Sequence, residues 1–294
     1  MKKIIAIILI AVLAVTIYDL NEKESSADAF HSDIEAKSIY MVDFETGKVL
    51  YEKNGDESVA IASMTKMMTQ YITLNAIRNG RISWDDLYSP NEAVLSIASK
   101  PGLANLRLER GRHYTVRELF TAASVISAND AAVALAEIVA GSEENFVRIM
   151  NEQANYFKLE QTYFFNSTGL DGPHVGKTSN ETNKSSARDV AVIASKLIGK
   201  HPEILDFSSL ASVNTKDGEK PNTNLMLEGM PYELAGLDGL KTGYTGEAGS
   251  CFASTGIFNG RRVITVVVGA SDDNDDTTNP RFELTKELIY HYAG

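Results

Sequence analysis

Apolar residues in the middle of the chain recur at the spacing of amphipathic helices. From Ser63 to Ile77 they return every three or four positions, and Asn79-Gly80 then supplies a left-handed cap signal. Thr115 to Glu118 has the sequence of a capping box that opens the next clear helix. Four further helices are predicted, over about 130–140, from Ser142 onward, from Ser186 to Leu197 with Gly199 as the stop, and from Pro280 onward.

Strand patterns lie at the two ends of this helical region. Residues 38–42 and 49–51 flank a turn and form a candidate hairpin, and 251–258 is joined to 261–268 by Asn259-Gly260, the strongest short hairpin signal. Residues 236–245 supply a further strand. The pattern predicts an α+β fold, in which both chain ends build one antiparallel sheet of about five strands. Helices flank that sheet, and a helical subdomain is inserted at about 80–200.

The first 29 residues have the features of an export signal. Lys2-Lys3 precede residues 4–17, an apolar run with a single polar residue, and Ala27-Asp28-Ala29 offers a cleavage site. The apolar run is shorter than the ~20 residues of a membrane-spanning helix. We therefore expect a signal peptide over 1–29 and one domain over 30–294. An uncleaved signal would be the only attachment to a membrane.

Composition excludes several classes of function. The 294 residues carry a net charge of -11, which repels nucleic acid. Cys251 is the only cysteine, so no internal disulfide forms, and its place in an apolar strand predicts a buried thiol. The acidic run 271–276 is interpreted as a solvated loop and not as a calcium site, because Thr277 stands where such a loop needs glycine. No metal or cofactor is predicted.

Candidate chemistry begins with Ser63 and Lys66. Residues three apart share a helix face, so the hydroxyl and the amine can touch, and a lysine kept neutral can accept the serine proton. Ser63 is the only serine in the chain with lysine at this spacing. Alone, the pair also fits an N-cap serine followed by an exposed lysine.

Two later segments favour the catalytic interpretation. Ser127-Ala128-Asn129 lies between two apolar helical stretches, so we expect Ser127 and Asn129 to be exposed on a turn. Lys241-Thr242-Gly243 lies in a predicted strand and occurs once, whereas Ser-x-Asn also occurs at 89–91 and 212–214.

The three motifs, in this order and on these elements, resemble those of the penicillin-binding proteins and serine β-lactamases. The flanking residues are most similar to the low-molecular-mass D-alanyl-D-alanine carboxypeptidases, from about Lys37 to the C-terminus. The segments that carry this closer resemblance are 61–69, 127–132, 165–170, 186–189 and 238–245. The resemblance implies a penicillin-binding, β-lactamase-like fold for the catalytic domain.

The resemblance also implies the roles of individual residues. Ser63 would attack the penultimate D-alanine carbonyl of a peptidoglycan stem peptide, and Lys66 would take its proton. Ser127 would pass a proton to the leaving D-alanine, and Asn129 would hold the substrate amide. Lys241 and Thr242 would bind the terminal carboxylate, and Arg281 would be a further ligand of it. The Tyr244 N–H would join that of Ser63 in the oxyanion hole. Gly243 completes the implied substrate-binding set.

Penicillins and other β-lactams are the expected inhibitors, and no metal takes part. The alternative of a class A-like β-lactamase is weaker, because Ala128 replaces the usual aspartate and no Glu-x-x-x-Asn sequence is present. A Ser-His-Asp hydrolase would need a Gly-x-Ser-x-Gly sequence, which is also missing. A non-catalytic penicillin sensor remains a third alternative.

Relatives of this kind often carry a second, β-rich domain and an amphipathic anchor helix. Because this sequence stops at Gly294, just after the last predicted helix, we expect neither. The expected location is the cell wall, the outer face of the cytoplasmic membrane, or the medium.

Overall fold

The structure, a computed structural model, describes residues 30–176, 178–271 and 279–294. The predicted signal peptide and residues 272–277 of the acidic loop lie outside these ranges. Within them, no helix combines the length and the apolar character that a bilayer crossing requires. The description below concerns the compact unit that begins at Ile34.

A five-stranded antiparallel sheet forms the centre of this unit. Its strands come from both ends of the chain, as predicted, and their spatial order is β2-β1-β11-β10-β9. The strands are β1 (Ser38–Asp43), β2 (Val49–Lys53), β9 (Leu237–Thr245), β10 (Gly249–Phe258) and β11 (Arg261–Ala270). Because β9 is last in this order, one of its edges is free to line a cleft.

The strands pair because their apolar residues are buried on both faces of the sheet. Every residue of β1 is buried, and its partner β11 is buried over most of its length. The β10–β11 hairpin turns at Asn259-Gly260, with φ of 48° and 75°, which is the geometry of a type I′ turn. The predicted hairpin is therefore confirmed.

The helices lie between β2 and β9, apart from one at the C-terminus. The α-helices are α1 (Lys66–Arg78), α2 (Glu92–Ala98), α3 (Val116–Val125), α4 (Asn129–Ala140), α5 (Glu143–Tyr156), α6 (Ala187–Lys200), α7 (Ile204–Ser208) and α8 (Pro280–Tyr292). Short strand pairs join the loops: β3 (Val59–Ala60) with β6 (Lys184–Ser185), β4 (Leu87–Tyr88) with β5 (Tyr114–Thr115), and β7 (Ser212–Thr215) with β8 (Gly218–Pro221).

Most predicted helix boundaries are confirmed. Thr115 and Glu118 form the capping box at the start of α3, and α4 ends at left-handed Gly141. One boundary was wrong: α6 continues through Gly199 and ends at Lys200. Gly199 is not in a left-handed conformation, so it does not stop the helix as a glycine cap would.

The two faces of the sheet contact different helices. Val266 and Val268 of β11 belong to the large core cluster that also contains α1 and α3 to α6. On the opposite face, Phe252 of β10 packs edge-on against Phe282 of α8, with ring centroids 5.2 Å apart. The sheet is thus covered on both sides, and the boundaries of the inserted helical subdomain stay a prediction.

Candidate active site

Ser63 lies on a 3₁₀ turn, Ala62–Thr65, directly before α1. Ala62 is left-handed at φ 46°, which turns the half-buried Ser63 side chain toward the free edge of β9. Two glycines allow the neighbouring backbone to approach: a Cβ on Gly169 would lie 2.0 Å from the Ala62 carbonyl oxygen, and one on Gly243 3.1 Å from the Ser63 nitrogen. The turn is therefore held from both sides.

Lys66 is fully buried, although sequence alone would place a lysine on a solvated helix face. Its Nζ lies 2.9 Å from Ser63 Oγ, and it donates to Asn129 Oδ1 and to the Thr168 carbonyl, each at 2.8 Å. The predicted contact between Ser63 and Lys66 is confirmed. It spans a 3₁₀ turn, in which residues i and i+3 eclipse each other.

The surroundings of Lys66 favour its neutral form. Burial lowers the pKa of this amine well below its ordinary value, and the positive charge of Lys241 lowers it further. Asp130 acts in the opposite direction, since its negative charge raises the pKa of Lys66. A neutral lysine beside a serine hydroxyl is the arrangement that general-base activation requires.

Ser127 and Asn129 join the same group, but they are not exposed as predicted. Only 6% of Ser127 and 3% of Asn129 is accessible to solvent, because the turn between α3 and α4 forms the floor of a cleft. Ser127 is left-handed at φ 59°. Asn129 spans the site, since its Oδ1 accepts from Lys66 and its Nδ2 donates to the Ala104 carbonyl at 2.8 Å.

Asp130 is a buried acid that the sequence interpretation left without a role. Its carboxylate accepts from the backbone N–H groups of Leu106, Leu108 and Ala131 at 2.9 to 3.0 Å. Burial raises the pKa of this carboxyl, and the N–H donors oppose that rise. Its position directly after the Ser-Ala-Asn motif was the signal that could have identified it.

The loop 165–170 also belongs to the site. The side-chain oxygen of Asn166 accepts from the N–H groups of Thr168 and Gly169 at 3.0 and 2.7 Å, which aims the Thr168 carbonyl at Lys66. Asn183 fastens this loop to the 3₁₀ turn, because its Nδ2 donates to the Asn166 carbonyl and to Thr65 Oγ1, each at 2.9 Å. The sequence suggested that 165–170 was a family signature, but gave no indication that a backbone carbonyl in it contacts the lysine.

The sheet contributes a second buried lysine. Lys241 on β9 is only 1% exposed, and its Nζ donates to the Thr242 carbonyl at 2.9 Å. Burial, followed by the charge of Arg281, lowers the pKa of Lys241 to about 7. Thr242 Oγ1 donates to Thr223 Oγ1 at 2.7 Å, so Thr223 also belongs to the site. No motif in the sequence indicated this residue.

Arg281 and Tyr244 complete the sheet side of the cleft. The first turn of α8 directs Arg281 to the cleft, where its Nη1 donates to the Gly243 carbonyl at 3.0 Å. Burial lowers the pKa of this guanidinium, and its Nε is buried without a hydrogen-bond partner in the described part of the chain. Tyr244, by contrast, is 70% exposed at the cleft mouth.

These walls enclose a cleft of about 230 Å³. No acidic or histidine side chain is among its lining residues, and the described ranges hold no cluster of three or more metal-ligating acids, histidines or cysteines. Lys66 and Lys241 lie behind the lining. The cleft is lined by Ser63, Gly102, Leu103, Ala104, Ser127, Asn129, Leu170, Thr223, Thr242, Gly243, Tyr244 and Arg281.

Arg188 and Cys251 have structural roles outside the cleft lining, and the prediction of a buried Cys251 thiol is confirmed. Arg188 pairs with Glu52 and Asp56 at 2.9 and 2.6 Å, and its guanidinium lies over the Tyr40 ring. Cys251 is buried in β10, where burial raises the pKa of its thiol to about 11. A thiol with so high a pKa is a poor nucleophile.

Comparison with known proteins relates this geometry to one family. Residues 21–272 match the family model described as D-alanyl-D-alanine carboxypeptidase. The whole chain aligns with D-alanyl-D-alanine carboxypeptidase DacF of Bacillus subtilis, at 36% identity over 302 residues and 72% of that protein. Four further curated carboxypeptidases are 31–34% identical, and the chain spans 60–63% of their length.

Solved structures of other proteins share the fold, and two of them are similar over most of this chain. One is a peptidoglycan synthesis regulatory factor, PBP3, from Streptococcus pneumoniae, with a TM-score of 0.84, 38% identity and coverage of 88% of this chain and 73% of that one. The other is penicillin-binding protein D2 from Listeria monocytogenes in a cefotaxime-bound form, with a TM-score of 0.75, 33% identity and coverage of 90% and 98%. The chain belongs to the D-alanyl-D-alanine carboxypeptidase family of serine peptidases, the low-molecular-mass penicillin-binding proteins.

Proposed function

We propose that this protein removes the terminal D-alanine from peptidoglycan stem peptides through an acyl-enzyme on Ser63. The Ser63 oxygen attacks the carbonyl carbon of the penultimate D-alanine, and its proton passes to Lys66. The peptide C–N bond then breaks, and D-alanine leaves as the amine after receiving a proton. Water hydrolyses the ester, which restores Ser63 and completes the hydrolysis of one peptide bond.

The observation that carries this proposal is the set of contacts around Lys66 Nζ. A neutral amine has two N–H donors and one lone pair. Asn129 Oδ1 and the Thr168 carbonyl are acceptors only, so both N–H bonds point to them. The lone pair is then left for the Ser63 hydroxyl at 2.9 Å. A solvated lysine would remain charged and could not serve as the base.

Ser127 and Asn129 are assigned the roles that their positions favour. Ser127 lies on the cleft floor beside Lys66's partner Asn129, where its hydroxyl can relay a proton to the departing amine. Asn129 Nδ2 uses one hydrogen on Ala104 and has a second to donate to the substrate amide. General acid–base steps of this kind contribute roughly 10²- to 10⁴-fold to rate.

The terminal carboxylate of the substrate would bind on the sheet side. Thr242 and Arg281 line the cleft there, and Lys241 lies behind them in β9. Arg281 retains a buried Nε–H that has no protein partner in the described ranges. A carboxylate would offer an acceptor to this N–H and to the remaining N–H groups of Lys241, and each such charge-assisted bond is worth about 2 kcal/mol. The backbone N–H groups of Ser63 and Tyr244 would stabilise the oxyanion. Gly243, in β9, allows this strand to approach the Ser63 turn closely.

β-Lactams are proposed as inhibitors, because their strained amide presents a carbonyl and a carboxylate to the same groups. Rapid hydrolysis of the resulting adduct, as in a class A β-lactamase, would need a carboxylate that acts as a general base on water. The described lining of the cleft contains no carboxylate. The carboxypeptidase is therefore favoured over the β-lactamase.

We further propose export of the protein and action in the cell wall, or at the outer face of the cytoplasmic membrane, by the domain 30–294. The substrate supports this location, since peptidoglycan lies outside the cytoplasm. Residues 1–29 would direct export, and a chain that starts at Phe30 should be soluble and active. Insolubility of that chain without detergent would contradict this proposal.

Incubation with a stem pentapeptide tests the function directly. The folded protein should release free D-alanine, and labelled penicillin should become attached to the peptide that contains Ser63. A Ser63→Ala variant with unchanged circular dichroism is the control, and it should do neither. Penicillin labelling at Ser63 without D-alanine release would favour the non-catalytic sensor instead.

A further inference from the structure

A cavity larger than the catalytic cleft lies outside the active site. It has a volume of about 540 Å³, against about 230 Å³ for the catalytic cleft, which is within the range of small-ligand sites. It lies between the loop 106–115 and the β7–β8 hairpin, beside the first turns of α3. We call it the basic cleft, and its lining comprises Leu106, Arg107, Arg112, Tyr114, Thr115, Arg117, Glu118, Thr121, Val213, Asn214, Thr215 and Lys216.

Four cations line this cleft in a chain whose net charge is -11. Three of them contact acids at its rim: Arg107 lies 3.5 Å from Asp217, and Glu109 lies 3.0 Å from Lys216 and 3.9 Å from Arg112. All these side chains are a third or more exposed to solvent. Such surface pairs are weak, so a ligand carboxylate can compete for the cations.

The fourth cation has no acidic partner within 4 Å in the described ranges. The Arg117 guanidinium lies 4.7 Å over the Trp84 ring, which holds it at the cleft. Glu118 is the one acid in the lining, but its carboxylate already accepts from the Thr115 N–H and hydroxyl at 2.7 and 2.9 Å. The cleft therefore offers more free donors than acceptors.

The basic cleft is connected to the active site along α3. Thr121 and Arg117, both in the lining, lie about 6 and 12 Å along α3 from its last residue, Val125, and Ser127 follows two residues later. The Asp130 carboxylate, next to Asn129, holds the Leu106 N–H at 2.9 Å and so fixes the loop that carries Arg107. An extended peptide spans about 3.3 Å per residue, so three to five residues separate the two sites.

We propose that the basic cleft binds a carboxylate-bearing part of the wall peptide, three to five residues upstream of the bond that Ser63 attacks. The inference rests on the proposed function and adds to it an anionic peptide as the preferred substrate class. Guanidinium groups match the planar geometry of a carboxylate, and the Asn214 side-chain amide can add a neutral hydrogen bond. On an acidic protein, the cations also guide an anionic strand to the active site.

The test is a comparison of three substrates with the double variant Arg112→Gln/Lys216→Gln. The substrates are a short blocked peptide ending in D-alanyl-D-alanine, a stem pentapeptide with a free carboxylate on its second residue, and the same pentapeptide with that carboxylate amidated. The matched control is Lys48→Gln/Arg148→Gln, which removes one lysine and one arginine from residues outside the cleft lining. The measured quantities are kcat and KM for D-alanine release.

The double variant should raise KM for the acidic pentapeptide roughly fivefold, with kcat unchanged, and leave the short and amidated peptides unaffected. The control should change none of the three. Unchanged KM for the acidic pentapeptide, or an equal loss on all three substrates, would overturn the assignment. The assignment would also be overturned if inorganic polyphosphate competed equally with the acidic and the amidated pentapeptide. Failure of the proposed function itself is a different result, because the wild-type protein would then not release D-alanine from the short peptide.

Discussion

On the helical wall of the cleft, Ser63 follows left-handed Ala62 at φ 46°, and Ser127 is itself left-handed at φ 59°. On the sheet wall, Lys241 and Thr242 belong to β9, a strand that pairs regularly with β10 at these positions. Left-handed backbone costs about 1 kcal/mol or more for a residue with a side chain and persists only where packing imposes it. The two serines thus stand on or directly after left-handed backbone that packing imposes, whereas Lys241 and Thr242 stand on a regularly paired strand.

The same contrast separates the two buried lysines. Lys66 has three partners at 2.8 to 2.9 Å, drawn from three separate segments of the chain. For Lys241, the one hydrogen bond in the described ranges is to the carbonyl of its neighbour Thr242, so its other N–H bonds have no protein acceptor there. Burial lowers the pKa of both. The three hydrogen bonds of Lys66 suit a base that must stay in one position. The unpaired N–H donors of Lys241 suit a group that binds a substrate carboxylate.

The largest effect is expected from replacing the lysine of the helical wall. Lys66→Met keeps the volume but removes the base, so acylation of Ser63 by penicillin should fall by roughly 10³-fold. The second-order rate of acylation, measured with a fluorescent penicillin, checks this. Lys196→Met, on the exposed side of α6, is the control and should leave the rate unchanged. Acylation of Lys66→Met within tenfold of the wild-type rate would remove Lys66 from the mechanism.

A glycine that supports the helical wall should have the next largest effect. In Gly169→Ala, the new Cβ would overlap the Ala62 carbonyl oxygen at 2.0 Å, and the residue would remain at φ 87°. The free energy of unfolding should decrease by about 3 kcal/mol, and acylation should slow because the Ser63 turn is displaced. Urea unfolding followed by circular dichroism measures the first effect.

Gly141→Ala is the matched control for that substitution. Gly141 is also left-handed, at φ 77°, but a Cβ there would meet no atom within 4 Å. Its cost should therefore be the conformational strain alone, about 1 kcal/mol. Equal destabilisation by the two variants would show that the close approach of Gly169 to the Ser63 turn has no energetic weight.

Replacement of the lysine on the sheet wall should be milder. Lys241→Gln removes a charge-assisted bond to the substrate carboxylate worth about 2 kcal/mol, so kcat/KM should fall roughly 30-fold. Lys241→Arg, which keeps the charge, should lose less. A substrate whose terminal carboxylate is amidated should be insensitive to the change. A loss on that amide as large as the loss on the acid would argue against a carboxylate anchor.

The smallest effect should be a displacement of the pH profile. Activity requires neutral Lys66, so kcat/KM should fall as pH decreases through the lowered pKa of that amine. The charge of Lys241 helps to lower this pKa, so Lys241→Gln should raise it and move the acid limb to higher pH. Lys241→Arg keeps the positive charge and should leave the limb in place. Movement of the Lys241→Gln limb to lower pH would contradict the proposed coupling of the two lysines.

Much of the fold followed from local patterns in the sequence. The Asn259-Gly260 hairpin, the Thr115 capping box and the last helix at Pro280 each depend on a few adjacent residues, and all are confirmed. The prediction for Gly199 was wrong, because a helix continues through a glycine when its flanks are packed against a sheet. Propensity is a weak guide where tertiary contacts decide.

The prediction of exposure for Ser127 and Asn129 failed for a similar reason. A break between two helical patterns predicts a turn, and turns are usually at the surface. Here the loop that contains Ala104 covers the turn, since the Asn129 N–H and side chain both donate to the Ala104 carbonyl at 2.8 Å. A contact between residues 25 positions apart leaves no periodic signal in the sequence.

The sequence by itself determined which side chains were available: the Ser63–Lys66 pair at helical spacing, the Ser127 and Lys241 motifs, and the strands that return to one sheet. Those features are local, and short-range sterics and hydrogen bonding express them directly. Only the tertiary structure decided that Lys66 is buried, that the Thr168 carbonyl and Asn129 occupy its N–H bonds, and that Arg281 reaches the cleft. The pKa of an amine depends on solvent exclusion and on charges within a few ångströms, and here segments 63 and 102 residues distant in the chain supply that environment.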